Sequence, residues 1–244
     1  MKNKHVYCTH CKHFKIEDGT PFCKYDAMCD IYDCEDSKPF QERPMWKSND
    51  YIICLVGASG TGKTSIAYAL KEKYGYNVIE SYTTRPPRYE GEKGHTFLFF
   101  EDELEYENHM SSIRDGIIAY NCYNGHDYFA LKEQYQGKGV SIYVIDPPGV
   151  EMLRKTVKDA EIVVVALHGD SIIIQERLLT RNRYYDSKKS QLDSNSIVRN
   201  VDQRMQYDLD IFATIPCDYS VDANVDLDTV TERVNSIIQM HVRG

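Results

Sequence analysis

The chain has no apolar run approaching the roughly 18 residues that a membrane-spanning helix needs, so no transmembrane helix is expected. Its first residues, Met1-Lys2-Asn3-Lys4-His5, lead into cysteines and not into an apolar signal core, so no secretory signal is expected either. The expected location is the cytoplasm. Basic charge is short: 29 Lys and Arg stand against 37 Asp and Glu, a net charge of −8. A broadly acidic protein is a poor general binder of nucleic acid. There is no internal repeat and no low-complexity tract, which excludes repeat arrays. With 244 residues and 42% hydrophobic content, the chain can build one sizeable domain with an appendage, or two small domains.

Cysteine is scarce beyond the N-terminus. Cys54, Cys122 and Cys217 are scattered in apolar or strand-like settings and are expected to be small buried hydrophobes. The other five, Cys8, Cys11, Cys23, Cys29 and Cys34, crowd into the first 34 residues with His5, His10 and His13. In a cytosolic protein such a cluster points to metal more than to disulfides. Cys8-Thr9-His10-Cys11 is a Cys-x-x-Cys half-site, whereas the spacing of Cys23, Cys29 and Cys34 is irregular. The segment is too short and too poor in Leu, Ile and Val to bury its own core, and a metal would supply the missing folding energy. Structural zinc is the expectation, with Cys8, Cys11, Cys23 and either Cys29 or Cys34 as ligands; an iron–sulfur cluster or no metal are the alternatives. The expected Cys-rich unit with its linker spans residues 1–46, the linker being the proline-bearing polar stretch 36–44. It leaves room for a protein partner to dock there.

The second unit, residues 50–244, begins with an apolar run, Tyr51–Val56. Then come Gly57-Ala58-Ser59-Gly60-Thr61-Gly62-Lys63-Thr64 and a helix-like segment. Strand, glycine-rich loop, Lys-Thr and helix form a phosphate-binding P-loop pattern. Glycines let backbone N–H groups turn inward around phosphate oxygens, and the helix N-terminus adds its positive dipole end. Gly57, Ser59, Gly60, Thr61, Gly62, Lys63 and Thr64 are therefore the candidate ATP-binding residues. Lys63 is placed to reach the β/γ-phosphates and Thr64 to ligate Mg2+.

A short strand, Tyr76–Ser81, is followed by Tyr82-Thr83-Thr84-Arg85-Pro86-Pro87-Arg88 and by Gly91-Glu92. Arg85 and Arg88 on a proline-stiffened loop suit a bidentate phosphate clamp; alone, the stretch would equally suit a solvated surface loop. Farther on, Ile117–Leu131 has strand, Asn124-Gly125 turn and strand. Val140–Ile145 is a dense apolar strand ending in Asp146-Pro147-Pro148-Gly149. Asp146 stands where a Walker-B-type aspartate orders Mg2+; it would also serve as a helix N-cap. A strand at 161–167, a helix from Ser171 and a polar stretch without apolar period follow, giving an expected lid at about 181–196. Ile197, Val201, Met205 and Leu209 then form an apolar stripe. Arg181, Arg183 and Arg204 are candidates to converge on the transferred phosphoryl group, the plainer reading being a solvated basic face.

The P-loop, Ser81-Tyr82-Thr83-Thr84-Arg85-Pro86-Pro87-Arg88 and Gly91-Glu92, in this order and spacing, resemble guanylate kinase, over about residues 51–240. The resemblance implies an α/β P-loop kinase fold: a parallel sheet flanked by helices, an inserted monophosphate-binding subdomain and a lid. It implies ATP-dependent phosphoryl transfer to a nucleoside monophosphate, with GMP or dGMP narrowly favoured. A different phosphorylated acceptor, or an inactive binding module, is the alternative. It also implies roles. Arg85 and Arg88 match the residues that hold the acceptor phosphate, and Tyr128 matches a tyrosine that does the same. His95 stands where the family has another such tyrosine. Ser81 matches the serine that touches the base, Asp146 matches the Asp-x-x-Gly aspartate, and Arg204-Met205 resembles the lid-closing arginine. The departures lie on the acceptor side: Ala119 for a base-reading glutamate, Phe129-Ala130 for Gly-Ser, and Val144 for an upstream aspartate.

Overall fold

The computed structural model describes residues 14–17, 20–23, 50–87, 90–123, 125–187, 201–202, 205–206, 208 and 216–242. In chain order the elements are β1 (Phe14–Glu17), β2 (Thr20–Cys23), β3 (Tyr51–Val56), α1 (Lys63–Tyr74), β4 (Asn77–Ile79), β5 (Ser81–Thr83), β6 (His95–Phe97), α2 (Glu103–Ile113), β7 (Ile117–Tyr123), β8 (His126–Leu131), β9 (Val140–Val144), α3 (Pro147–Thr156), β10 (Glu161–His168), α4 (Ser171–Ser187), β11 (Tyr219–Asp222) and α5 (Leu227–Val242). β1 and β2 pair as an antiparallel hairpin with Phe14 opposite Cys23. Cys8, Cys11, Cys29, Cys34 and the 36–44 linker lie outside the described residues, and of Cys23 only the backbone is described.

Five strands form a wholly parallel sheet in the order β11-β10-β3-β9-β4. β3 is the middle strand, and Ile52–Val56 are completely buried, as expected for a parallel strand covered on both faces. Alternation along β3 sends Ile53 and Leu55 to a core with Ile66 and Leu70 of α1 and Val234 and Ile237 of α5. Ile52, Cys54 and Val56 go to the opposite face, with Val150 and Leu153 of α3. All five strands end at one edge, and in open α/β sheets ligands bind outside those carboxyl ends. The P-loop follows β3 there, and Asp146 lies just beyond β9.

The second sheet has the order β6-β5-β8-β7 and is mixed: β5 and β6 run parallel, the other pairs antiparallel. The strand expected over 76–81 is split between the sheets. β4 completes the parallel sheet and β5 continues beyond Ser81 in the second one, leaving Glu80 as the single residue between them. Gln134 fixes this corner. Its side chain donates to Glu80 O at 2.7 Å and accepts from Leu131 N at 2.9 Å, and its own carbonyl accepts from Asn77 at 2.7 Å.

α3 starts earlier than its apolar period suggests, because Asp146 caps it, accepting from Gly149 N at 2.8 Å, and proline fits the first turn. α4 runs to Ser187, so the opening part of the expected lid is helix, and 188–200 lies outside the described residues. From the expected stripe, Val201 and Met205 pack on Ile174 and Leu178 of α4. Cys54 is buried as expected, Cys217 partly so, but Cys122 is exposed, because strand alternation turns it away from the face carrying Ala119 and Asn121. No helix among the described residues is long and apolar enough to cross a membrane.

Candidate active site

The P-loop closes tightly on the sheet. Gly57 has φ 147°, and a Cβ there would sit 2.3 Å from Leu167 O, so only glycine lets the loop leave β3 alongside β10. Gly62, at φ 90°, is the N-cap of α1 and supplies no side-chain cap, which leaves the first N–H groups of the helix to a ligand. The Thr61 hydroxyl turns inward and donates to Ala58 O at 2.8 Å, so its side chain braces the loop. Lys63 Nζ donates to Gly57 O at 2.7 Å and Ala58 O at 2.8 Å, folded along the loop. Ser59 N–H donates to Asp208 Oδ2 at 2.6 Å, and Asp208 is only 6% exposed. A carboxylate thus stands against a backbone donor of the loop whose composition suits an anion.

Around the loop is a cavity of about 710 Å3, bordered by Ser59–Ala67 and, across from them, by Arg177, Arg181, Ala223 and Val225. Thr64 is exposed into it from the first turn of α1. Arg177 donates to Ala223 O at 3.0 Å and ties α4 to the end of β11. Asn224 Oδ1 accepts from Asp170 N at 2.6 Å, so its side chain serves the loop that opens α4. Arg183 is exposed.

The second sheet gathers the remaining predicted residues. Ser81 on β5 pairs with His95 on β6, and Thr83 pairs with Tyr128 on β8. The His95 and Tyr128 rings meet edge to face, centroids 5.6 Å apart. Arg85 reaches the same place. It forms a bidentate pair with Glu92 at 2.9 and 3.2 Å, lies over Phe97 at 5.3 Å, and its Nε is buried with no hydrogen-bond partner among the described residues. Burial opposes the guanidinium charge, but Glu92 and then Tyr128 outweigh it and hold the pKa above its ordinary value. Arg88 and Arg204 lie outside the described residues.

A cavity of about 310 Å3 runs from Ser81, His95 and Tyr128 towards Asp146. It and the P-loop cavity share Ser59, Lys63, His95 and Val144 as walls. Asp146 uses Oδ1 to cap α3 and accepts from the Asn121 amide with Oδ2. Tyr143 Oη lies 3.3 Å from Ser81 Oγ, and burial pushes the phenol pKa well above its usual range, so the hydroxyl stays protonated.

A family model described as an AAA domain matches residues 52–116. The guanylate kinase of Helicobacter pylori is 31% identical over 147 residues, covering 59% of this chain and 69% of that enzyme. The chain belongs to the guanylate kinase family. The guanylate kinase of Mycoplasma genitalium is 32% identical over 136 residues, and the chain spans just over half of that relative, 55% of its length. That of Rickettsia felis is 28% identical over 201 residues, covering 79% of this chain and 94% of the enzyme. The crystal structure of guanylate kinase from Anaplasma phagocytophilum superposes with a TM-score of 0.51 at 19% identity, over 82% of this chain and 90% of that one, a likeness of fold.

Within this guanylate kinase-family frame, sequence reasoning missed Asp208, Asn121, Tyr143 and Arg177. Asn121 was within reach, since it lies two residues from Ala119 and therefore on the same strand face. Arg177 lies one helical turn before Arg181, on the same side of α4. Asp208 and Tyr143 had no local signal.

Proposed function

We propose that the chain transfers the γ-phosphoryl group of ATP to a nucleoside monophosphate, with GMP or dGMP ahead of other acceptors. The observation that carries this reading is the junction of the two cavities at Ser59 and Lys63. One cavity offers the P-loop, the other a histidine and a tyrosine, and the buried Arg85 interacts with that tyrosine. Two phosphate-bearing ligands seated there would meet at the lysine, as in-line transfer requires.

In this reading the N–H groups of residues 59–64 and the Lys63 ammonium hold the triphosphate. Arg85, Arg88, His95 and Tyr128 hold the acceptor phosphate, with Glu92 keeping Arg85 in place. Ser81 faces the base. Arg181 and Arg204 are read as neutralising charge on the transferred group. The acceptor phosphate oxygen is already nucleophilic at neutral pH, so no side chain need remove a proton. Magnesium suits the Thr64 hydroxyl together with phosphate oxygens and water, with Asp146 orienting that water, since this ion prefers few protein ligands; bound there it neutralises phosphate charge. The Cys-rich segment is read as a structural zinc site, free to serve a protein partner, and the setting as cytoplasmic.

The test is coupled ADP release across ribo- and deoxyribonucleoside monophosphates, with Lys63→Ala as control. Turnover that needs both an acceptor and Lys63 is expected. Absence of acceptor-dependent turnover with every monophosphate would overturn the reading in favour of a binding module.

A further inference from the structure

The smaller cavity contains polar groups that phosphate binding leaves unused. Ala119, on β7, borders it with a methyl group and is only 2% exposed. Nearby, three neutral groups line the same space: the Ser81 and Tyr143 hydroxyls, 3.3 Å apart, and the Asn121 carboxamide. The orientation of Asn121 is fixed by its partner. An ionised carboxylate only accepts, so the Asn121 nitrogen donates to Asp146, and its carbonyl oxygen is left as an acceptor for whatever occupies the cavity. Asp146 is held in turn by Asn121 and by the N-terminus of α3.

Resting on the acceptor reading above, we infer that Tyr143 and Asn121 discriminate the acceptor's base, reading its hydrogen-bonding edge with neutral groups instead of a carboxylate on β7. The base class this set accepts carries an exocyclic amino group. The Asn121 oxygen accepts from the amino group, and a Tyr143 or Ser81 hydroxyl pairs with either a ring acceptor or a ring donor, because a hydroxyl does both. A fixed carboxylate accepts guanine's two neighbouring donors and repels the ring nitrogen that adenine presents there. Hydroxyls that rotate to suit impose no such penalty. A site pre-set to one hydrogen-bonding pattern rejects the wrong ligand by about 10^4-fold. This set discriminates guanine from adenine acceptors by a much smaller factor, on the order of 10^2 or less.

The test compares kcat/KM for GMP, AMP and CMP in the full chain and in Tyr143→Phe and Asn121→Ala. Tyr143→Phe removes one oxygen from a buried ring and leaves the packing intact. The expected result is a GMP-to-AMP ratio within about 100 for the native chain. Each variant should lower kcat/KM for GMP and AMP alike by roughly 3–10-fold, with KM for ATP unchanged in Tyr143→Phe as the check on folding. A native ratio near 10^4, or a kcat/KM for these acceptors that neither variant lowers, overturns the inference while the kinase reading stands. No turnover with any acceptor overturns both.

Discussion

The contact between Asp208 and the P-loop gives a prediction with a definite sign. The Asp208 carboxylate accepts from Ser59 N–H at 2.6 Å and is 6% exposed, so the bond is charge-assisted and sheltered from water. A hydrogen bond to a charged group contributes about 1.5–3 kcal/mol net. If the triphosphate fills the loop, its oxygens need the same donor, and a carboxylate beside them is a like charge; ATP therefore has to break the contact in order to bind. Asp208→Ala removes the competitor and leaves Ser59 N–H to water in the open cavity. Binding of ATP with magnesium should then tighten by about ten- to hundredfold, as 1.4 kcal/mol is a factor of ten. Asp208→Asn, which keeps an oxygen acceptor but loses the charge, should fall between. The assay is calorimetric titration of ATP into the native chain and both variants. The free variant should also melt below the native chain, and the gap should close at saturating ATP, as linkage requires when only the free form holds the contact. Unchanged or weaker ATP binding in Asp208→Ala would refute the reasoning, and weaker binding would show that the carboxylate assists the nucleotide.

Two further outcomes concern other parts of the chain. Glu92→Gln removes the charge that pairs with Arg85 across two short contacts between side chains 5% and 11% exposed; KM for the acceptor should rise about tenfold, and more than KM for ATP, in steady-state kinetics, whereas equal rises in both would mean that Glu92 serves the whole site. For the Cys-rich segment, elemental analysis of the purified full chain should find about one equivalent of zinc, and less than about half an equivalent of zinc or iron would remove the metal reading.

The P-loop was legible because its pattern is local. The P-loop needs consecutive glycines, a lysine and a threonine between one strand and one helix, and all of these are adjacent in sequence. The central strands were legible for the related reason that a strand buried on both faces is a continuous apolar run. The cluster around Arg85 was legible only in part. Arg85 stands out beside two prolines, but what holds it, Glu92, gains meaning only once the loop folds back. The split between β4 and β5 was invisible, since residues 76–83 look alike in pattern and the change of sheet is imposed by pairing partners far along the chain. Asp208 was the hardest: its partner is 149 residues away, and an aspartate within an apolar stripe looks like the polar side of a helix. The pattern around Asp146 suits both metal ordering and helix capping, and the geometry displays the cap.

The corner at Glu80 bears on how the two halves can move. The chain enters the second sheet across a single residue and leaves it through residues 132–134, and Gln134 bonds both crossings to each other. Tyr68 of α1, whose hydroxyl donates to the Glu80 carboxylate, pins the same corner to the helix that follows the P-loop. If the two sheets rotate about this joint, His95, Tyr128 and Arg85 move together and keep their mutual spacing while their distance from Lys63 changes. A substitution at Gln134, remote from either ligand, would slacken that lever and cost alignment between donor and acceptor more than affinity for either.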